Sequence, residues 1–297
     1  MIRAVVTGSR GQVARALASR TQQRADVDLR YLARPDFDLL EPELMARQIV
    51  KHRPDVILSV AAHTAVDEAE DEPDRAMAIN GHAPGVLAEA AAGLGIPIVH
   101  LSTDYVFAGN GPDAYVESDA PGPVTEYGRS KLAGERAIVA ATPRHVILRT
   151  AWVYGATGKN FAKTMLALAE TRDELTVVSD QVGNPTSAED IADGLLHVVK
   201  VLQPDAEHEG LFGTYHMAGA QEASWCEFAQ AIFRQSAALG GPNASVVPVD
   251  SSAFPTKASR PANSRLNCAK FAKAFGHALP GYDQALPHVI GALLAGQ

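Results

Sequence analysis

The sequence predicts an α/β fold: a Rossmann-like, doubly wound parallel sheet with a smaller, interleaved C-terminal substrate-binding lobe. Three observations predict it. A β-branched run at the start of the chain, Ile2 to Val6, leads into a glycine turn and then into a helix-forming segment. Apolar runs of strand length then alternate with helical stretches, as they do in parallel sheets. Reactive polar side chains directly follow several of these strands, where open α/β sheets bind their ligands.

The predicted elements keep this alternation through most of the chain. Strands are predicted over 2–6, 29–33, 55–60, 98–101, 145–149 and 213–217, and another strand enters a polar turn within 176–186. Helices are predicted over 15–20, 41–52, 74–94, 159–171 and 188–201, and around Tyr127 and Lys131. The change in character after residue 152 predicts two interleaved units, a dinucleotide-binding domain of residues 1–152 and 186–217 and a second lobe of residues 153–185 and 218–297.

Composition places the chain among ordinary globular proteins. Its 297 residues are 46% hydrophobic and 20% charged, and the net charge is −8. This acidic balance disfavours nucleic-acid or anionic-membrane binding as the main task. The only cysteines, Cys226 and Cys268, lie far apart and predict neither a disulfide framework nor a zinc site. No apolar run of about 18 residues and no signal-peptide pattern occurs, so the predicted location is the cytoplasm.

The glycine turn after the first strand predicts a dinucleotide site. Its spacing is Gly8-x-x-Gly11-x-x-Ala14. Glycines allow a tight turn and a close approach of the backbone to a pyrophosphate, which then lies on the N-terminus of the next helix. Ala14 stands where many nucleotide folds keep a third glycine, and it is small enough to preserve close packing of helix and strand.

The end of the second strand bears on the choice of cofactor. Arg34 follows this strand, at the tip that faces the adenosine ribose in a dinucleotide fold. An acidic residue there binds the ribose 2′-hydroxyl, whereas an arginine accommodates a 2′-phosphate. Arg34 therefore favours NADPH, with NADH still possible and an ordinary surface arginine as the alternative. Asp38 and Leu39 follow in a loop that can pack on adenine.

The third strand is almost wholly apolar, as expected of a parallel strand buried on both faces. Ala61, Ala62 and His63 come next, and small residues at this edge let a cofactor approach the backbone. His63 is either a polar contact of the cofactor or a loop histidine satisfied by backbone groups. The acidic run from Asp67 to Glu72 lacks the ligand spacing of a calcium loop and is interpreted as a solvated helix start.

The candidate catalytic residues follow the fourth strand and begin the next helix. Thr103 lies just past a sheet strand and can hydrogen-bond a reacting carbonyl, or else cap a loop. Tyr127 and Lys131 are four residues apart and share one helix face. A tyrosine whose pKa is held down by a neighbouring ammonium can exchange a proton near neutral pH. The alternative is a solvated helix face.

The C-terminal third carries several basic residues in an otherwise acidic chain. Lys257, Arg260 and Arg265 are candidates for clamping a diphosphate if they border a cleft. Ordinary surface charge is the alternative, and spacing alone does not decide between the two.

Several stretches, spread from end to end of the chain, recur together in one known family. They are Gly11-Gln12-Val13, Ala61 to Asp67, Ser102 to Phe107, Tyr127-Gly128 with Lys131 to Glu135, Arg149 to Tyr154, Asp180-Gln181 with Gly183 and Pro185-Thr186, and Arg260-Pro261 with Asn263 to Leu266. On these stretches the chain resembles the extended short-chain dehydrogenase/reductase superfamily and, within it, the dTDP-4-dehydrorhamnose reductase family. The last two of these stretches, Asp180 to Thr186 and Arg260 to Leu266, are the most specific to this family, and we call them the late motifs.

The resemblance implies hydride transfer from NADPH or NADH to the C4 ketone of dTDP-4-dehydro-L-rhamnose, which yields dTDP-L-rhamnose. It implies that Tyr127 delivers the proton to the developing alkoxide and that Thr103 hydrogen-bonds the same oxygen. Lys131 would bind the nicotinamide ribose and hold down the pKa of Tyr127. The other cofactor contacts would be Gly8, Gly11, Gln12, Val13, Arg34, Asp38, Leu39, Ala61, Ala62 and His63.

The sugar nucleotide would contact Asp104 and Trp152, with Arg260 as the candidate for its diphosphate. The second lobe would hold this substrate. Trp152 has a core aromatic as its alternative interpretation, but its place at the C-terminal edge of a strand favours contact with the sugar.

Some relatives form a magnesium-bridged dimer through an early acidic residue of the first helix and an acidic pair that corresponds to Glu189 and Asp190. Arg15 stands at the early position here, which removes a ligand and adds a repelling cation. The sequence therefore predicts no magnesium or other metal, and leaves a homodimer possible.

Three other functions are alternatives to a simple ketone reduction. Sugar-nucleotide dehydratases need a second carboxylate after the active-site threonine, where this chain has Asp104-Tyr105. Epimerases of the superfamily differ from reductases mainly in the late motifs. The regulatory subunit of methionine adenosyltransferase resembles these reductases and acts as a binding protein, so a non-catalytic role is the alternative from another class.

Overall fold

The computed structural model describes residues 1–22, 25–203 and 210–296. Twelve strands form along these residues: β1 (Ile2–Thr7), β2 (Val27–Leu32), β3 (Val56–Ser59), β4 (Ile98–Thr103), β5 (His145–Thr150), β6 (Val153–Tyr154), β7 (Glu174–Val178), β8 (Val182–Gly183), β9 (Thr186–Ser187), β10 (Gly213–His216), β11 (Ala223–Ser224) and β12 (Ser245–Val249).

Eleven α-helices accompany the strands within the same described ranges. They are α1 (Gln12–Thr21), α2 (Pro42–His52), α3 (Val66–Ala69), α4 (Pro73–Met77), α5 (Ala83–Leu94), α6 (Glu126–Ala141), α7 (Phe161–Ala169), α8 (Ala188–Val201), α9 (Trp225–Ala238), α10 (Ala269–Phe275) and α11 (Tyr282–Ala295). A π-helical turn spans Ala78–His82, and short 3-10 turns span Asp104–Val106 and Ser251–Ala253. No helix in the described part of the chain is long and apolar enough to cross a membrane.

The main sheet confirms the predicted fold class. Its six strands run parallel in the order β2-β1-β3-β4-β5-β10. The direction in which the chain adds strands reverses between β1 and β3. In doubly wound sheets this switch opens a crevice at the carboxyl ends of the strands. The glycine turn and the Ala61-Ala62 segment border that crevice, because they directly follow β1 and β3.

Apolar helix faces cover both sides of this sheet. One core cluster joins the sheet to α1, α8 and α10, and the other joins it to α2, α5 and α6. A third cluster lies apart from these two and is built from α7, α9, α11 and β7 around Tyr154 and Phe228. The molecule thus has a nucleotide-fold core with helices on both faces and a separate apolar core formed mainly by C-terminal elements.

The helix predicted over 74–94 differs from a regular α-helix, because its middle turn is π-helical. Pro84 has no N–H, so the carbonyl of Asn80 loses its α-helical partner. Gly134 of α6 packs against that carbonyl, and a Cβ at position 134 would overlap its oxygen. The turn directs the buried side chain of Asn80 towards the loop after β3 and towards α6.

Candidate active site

The crevice at the switch point fits a pyrophosphate. Gly8 has a φ of 78°, and a Cβ there would stand 3.0 Å from the Cβ of Ala61. The hydroxyl of Thr7 accepts hydrogen bonds from the backbone N–H groups of Val60 and Ala61, both at 3.0 Å, and so ties the ends of β1 and β3 together. Gly11 is the N-cap of α1, with no side-chain cap and open space around its Cα. The first N–H groups of α1 are therefore available to an anion.

Two further predicted cofactor residues lie beside this crevice. The side chain of Gln12, at the start of α1, accepts a hydrogen bond of 2.9 Å from Asn160, which links the glycine turn to the loop before α7. Val13 packs into the apolar cluster on the α1 side of the sheet. Val13 thus supports the position of the turn, and direct contact with the cofactor stays a prediction for both residues.

The residues after β2 occupy three different environments. Arg34 is exposed just past the end of β2 and has no hydrogen bond or ion pair with another described residue. Asp38 accepts a hydrogen bond of 3.1 Å from the backbone of Leu40 and stabilises the loop. Leu39 is half-buried against the apolar cluster beneath α2. Arg34 is the member of this group with its charge free for a ligand, as an exposed guanidinium beside the crevice.

The backbone of His63 is held by the π-helical turn. Asn80 accepts from the His63 N–H at 2.8 Å and donates to its carbonyl at 2.9 Å, and its amide also contacts Ser130 of α6 at 3.1 Å. The imidazole is only 7% exposed and lies 3.8 Å from Glu68. These bonds satisfy the main chain of His63, but the Nδ1 of its imidazole is buried without a partner in the described part of the molecule. The alternative of a histidine side chain satisfied by backbone groups is therefore not supported.

The fold gathers His63, Glu68 and Glu72 so that one potential ligand atom from each lies within 4.8 Å of the others. Glu72 already forms an ion pair of 2.9 Å with Arg75. Arg15 is exposed on α1, and Glu189 and Asp190 are half-buried in the first turn of α8. The absence of a resident metal stays a prediction of the sequence.

Local capping fixes the start of the catalytic helix. Thr125 is the N-cap of α6, and its hydroxyl accepts from the backbone of Gly128 at 3.0 Å. The carboxylate of Glu70 accepts from the Glu126 N–H at 2.9 Å. Tyr127 and Lys131 are 9% and 2% exposed, so both point into the protein. The alternative of a solvated helix face is wrong for this pair.

The prediction that Lys131 holds down the pKa of Tyr127 is wrong in this structure. The ammonium of Lys131 donates to the carbonyl of Leu101 at 2.7 Å and contacts Nε2 of His100 at 3.0 Å. Burial raises the pKa of Tyr127 well above its ordinary value, although a hydrogen bond with Thr103 acts in the opposite direction. Desolvation prevails because it favours the uncharged phenol, and no cation among the described residues contributes to offset it.

Thr103 and Asp104 form a buried polar pair at the end of β4. The hydroxyl of Thr103 donates to Oδ1 of Asp104 at 2.8 Å and accepts from the backbone of Tyr105 at 3.2 Å. Burial raises the pKa of Asp104 to about 7, although the hydrogen bond from Thr103 opposes the change. The second carboxyl oxygen, Oδ2, is buried with no partner among the described residues. It is therefore available to a polar group of a substrate.

Asp104→Asn tests this buried carboxyl through the pH dependence of stability. A raised pKa means that Asp104 stabilises the fold below the ordinary carboxyl pKa and that this contribution is lost as the pH rises through about 7. The variant keeps an acceptor for Thr103 but carries no charge. We expect it to gain about 2–4 kcal/mol in unfolding free energy relative to wild type between pH 4 and pH 8.

Urea unfolding at the two pH values measures this gain, with the exposed Asp74→Asn as the control matched in charge. A variant that tracks wild type at both pH values would show that the carboxylate of Asp104 is not penalised by burial.

Trp152 lies just after the end of β5 in a strained backbone conformation, with a φ of 47°. Its indole N–H donates to the hydroxyl of Ser264 at 2.9 Å, and its ring stacks on Trp225 with centroids 3.5 Å apart. Gly183 lies directly against the indole, where a Cβ would overlap the ring. Trp152 is half-buried and contacts one residue of each late motif, Gly183 and Ser264. It is therefore not enclosed in the core.

Arg260 meets the acidic run that follows β3. Its Nη2 lies 2.5 Å from the carboxylate of Asp67, and its Nη1 is buried without a partner among the described residues. Lys257 pairs with Asp71 in the same way. The interpretation of the acidic run as a solvated helix start is confirmed, because Asp67 and Glu68 lie in the first turn of α3 with largely exposed carboxylates. The structure adds that Asp67 and Asp71 also hold a C-terminal loop and that Glu70 caps α6. These contacts are long-range, so the spacing of the run did not indicate them.

Several residues of the site carried no predicted role. Glu135 and Arg149 form a buried bidentate ion pair at 2.9 and 2.7 Å, which fixes α6 against β5. His100 contacts Lys131, and Trp225 completes the aromatic stack. Glu135 lies four residues after Lys131, so helical spacing alone indicates that the two share one face of α6. For His100 and Trp225 the sequence has no such local signal.

The fold and this site together define a class of protein. A parallel sheet with a glycine turn at its switch point, next to a buried threonine, tyrosine and lysine, is the arrangement of nicotinamide-dependent oxidoreductases of the extended short-chain type. The family model described as RmlD substrate binding domain matches residues 2–295. The chain belongs to this family, that of the dTDP-4-dehydrorhamnose reductases.

Individual relatives agree with this assignment. The dTDP-4-dehydrorhamnose reductase of Sinorhizobium fredii is 47% identical over 293 residues, which cover 99% of this chain and 98% of the relative. The structure of a dTDP-4-dehydrorhamnose reductase from Clostridium acetobutylicum superposes with a TM-score of 0.90 at 35% identity, and covers 99% of this chain and 100% of its own. That from Bacillus anthracis, in complex with NADP, has a TM-score of 0.88 at 32% identity, with 97% and 98% covered.

Proposed function

We propose that this protein reduces the C4 ketone of dTDP-4-dehydro-L-rhamnose to the alcohol of dTDP-L-rhamnose, with NADPH as the preferred reductant. The observation that carries the proposal is the buried phenol of Tyr127 beside Thr103, at the sheet edge where the glycine turn lies. The names of the relatives support the substrate, and the relative in complex with NADP supports the cofactor.

The two lobes divide the binding tasks in this proposal. Residues 1–152 and 186–217 bind the cofactor through the glycine turn and the N-terminus of α1. Residues 153–185 and 218–297 bind the sugar nucleotide, with Trp152 at the boundary. Arg260 binds the diphosphate, for which its unpartnered Nη1 is available while Asp67 holds Nη2. A cytoplasmic location and a homodimer stay predictions of the sequence.

Proton delivery falls to Tyr127. The bound cofactor supplies the hydride that forms the new bond to C4. As the carbonyl π bond breaks, its electron pair moves to the oxygen, which becomes an alkoxide and takes up a proton. Tyr127 is kept protonated by burial and gives its proton to that oxygen. Thr103 donates to the same oxygen after its single O–H turns away from Oδ1 of Asp104, and Asp104 receives the sugar through its free Oδ2.

Tyr105 argues against a dehydratase. It stands where that chemistry needs a second carboxylate, and burial raises its pKa to about 12. Its ring packs edge-on against Tyr127, with centroids 5.5 Å apart. Tyr105 thus supplies no second carboxylate and packs against the proposed proton donor. The family assignment also favours the reductase over an epimerase and over a non-catalytic, adenosyltransferase-binding role.

The proposed activity is tested by following NADPH and NADH oxidation with the dTDP-4-dehydro sugar generated in situ. We expect oxidation that depends on both the sugar nucleotide and the enzyme, with dTDP-L-rhamnose as the product. Absence of oxidation by the wild-type protein, together with tight capture of a methionine adenosyltransferase, would support the binding-protein alternative instead.

Arg34→Asp is expected to change the choice of cofactor. The exposed guanidinium can pair with a 2′-phosphate, and a charge-assisted hydrogen bond of this kind corresponds to roughly a tenfold difference in affinity or more. The variant should therefore lose at least about tenfold in the ratio of NADPH to NADH affinity. Fluorescence titration with each cofactor measures the ratio. Arg47→Asp, on the exposed face of α2, is the control for charge, and an unchanged ratio in Arg34→Asp rules out this role.

A further inference from the structure

A buried chain of polar groups continues from Lys131 of α6 to β4 and β3 of the main sheet. Nε2 of His100, on β4, lies 3.0 Å from Nζ of Lys131, and Nδ1 of His100 lies 2.9 Å from the hydroxyl of Ser59, on β3. All three side chains belong to residues that are at most 2% exposed. The mechanism above assigns no role to His100 or Ser59.

The available protons determine the direction of these hydrogen bonds. The ammonium of Lys131 has only donors, so both the carbonyl of Leu101 and Nε2 of His100 must accept from it. The imidazole is then neutral, with its proton on Nδ1, from which it donates to Ser59. Burial and the charge of Lys131 both lower the pKa of His100 well below its ordinary value, which agrees with a neutral ring. Two of the three N–H donors of Lys131 are thereby engaged, and one is left.

We propose that His100, held by Ser59, is a positioning residue that keeps Lys131 charged and directs its one remaining N–H towards the cofactor and Tyr127. The role at the cofactor rests on the proposed function, whereas the effect on the charge of Lys131 does not. Ser59 contributes by accepting from Nδ1, which stabilises the tautomer in which Nε2 is an acceptor.

Lys131 needs an acceptor such as His100 because its other surroundings disfavour the charged ammonium. Burial lowers the pKa of Lys131 to about 8, and Glu135, one turn later on α6, raises it in part. Glu135 is itself paired with Arg149 of β5, which weakens its support. Tyr127 on α6 stays uncharged, and β4 contributes only the carbonyl of Leu101 and the imidazole of His100. The imidazole is therefore the one side-chain acceptor in contact with the ammonium within the described residues.

NMR titration of the full-length chain labelled with [ε-13C]lysine measures the charge of Lys131 directly, with its resonance assigned from Lys131→Met. His100→Leu removes the acceptor, and we expect the titration midpoint of Lys131 to move about one pH unit lower. His100→Gln places an amide oxygen near the position of Nε2 and should stay close to wild type. Ser59→Ala should move the midpoint in the same direction as His100→Leu, by a smaller amount.

Steady-state kinetics then test the role of His100 in the reaction. In His100→Leu, the alkaline limb of the pH profile of kcat should move lower together with the NMR midpoint, while the KM for the sugar nucleotide stays unchanged. His100→Gln should restore the wild-type profile, which a purely structural loss would not predict. If the wild type shows no turnover, the proposed function fails, but the NMR result still decides the inference about Lys131.

The inference is overturned if Lys131 titrates at the same pH in wild type, His100→Leu and Ser59→Ala. Circular dichroism and thermal unfolding establish whether each variant folds. If His100→Leu does not fold, Ser59→Ala decides the matter alone, because it removes only a hydroxyl group. A lowered midpoint then supports the inference, and an unchanged midpoint rejects it.

Discussion

Replacement of Tyr127 by phenylalanine is expected to lower kcat at least about 100-fold with little loss of cofactor affinity. The substitution removes one hydroxyl group and keeps the ring, whose edge-on contact with Tyr105 is preserved. The loss should therefore lie in proton delivery and spare the fold and the cofactor site. Steady-state kinetics with saturating NADPH, together with a fluorescence titration of NADPH, separate the two effects.

Tyr215→Phe is the matched control for Tyr127→Phe. Tyr215 is also buried, but it lies on the edge strand β10 and donates to the carbonyl of Leu211 at 3.0 Å. Its loss should leave turnover close to wild type. Near-normal turnover of Tyr127→Phe would exclude Tyr127 as the proton donor. Because burial lowers the pKa of Lys131 to about 8 and raises that of Tyr127, the alkaline loss of activity should follow Lys131 first.

Glu135→Leu is expected to destabilise the protein by about 3–5 kcal/mol, because it leaves the guanidinium of Arg149 buried without its counter-ion. Both side chains of this pair are only 5% exposed. Nη1 of Arg149 already lacks a partner among the described residues, so little compensation is available. Contact with the face of Phe107, 5.0 Å from its centroid, cannot replace a carboxylate. Urea unfolding at pH 7 measures the loss.

Two comparisons separate the buried ion pair from helix effects. The double variant Glu135→Leu with Arg149→Met removes both charges and should recover most of the lost stability. Glu126→Gln breaks the exposed pair with Arg129 on the same helix, at 2.7 Å, and should cost less than about 1 kcal/mol. If Glu135→Leu costs no more than Glu126→Gln, the buried pair does not hold α6 against β5.

Local patterns were sufficient for the main sheet. The apolar strand before Ala61 and the turn from Gly8 to Ala14 are short-range signals, and the structure has both elements where they were predicted. The helix over 188–201 agrees to the residue with α8, because Ser187 caps it and its apolar face has regular spacing. The predicted helix over 74–94 was correct in extent but not in its π-helical turn, because that turn depends on close packing against Gly134.

Much of the candidate site depends on contacts that local sequence patterns do not predict. Spacing placed Tyr127 and Lys131 on one helix face, but it could not show that this face is buried or that Lys131 points to His100. Asp67 and Arg260 are 193 residues apart and meet through an ion pair that no sequence window contains. The same holds for Trp152 and Ser264, which are 112 residues apart.

By itself, the sequence determined the parallel α/β fold, the glycine turn at its switch point and the identities of Thr103, Tyr127 and Lys131, because turn residues and hydrophobic periodicity act over short distances along the chain. The tertiary structure alone decided which groups surround those side chains. Burial and contacts between distant segments keep the phenol of Tyr127 protonated and the ammonium of Lys131 bound to His100. They also give the carboxyl of Asp104 its raised pKa, since desolvation depends on everything packed around a group and not on its neighbours in sequence.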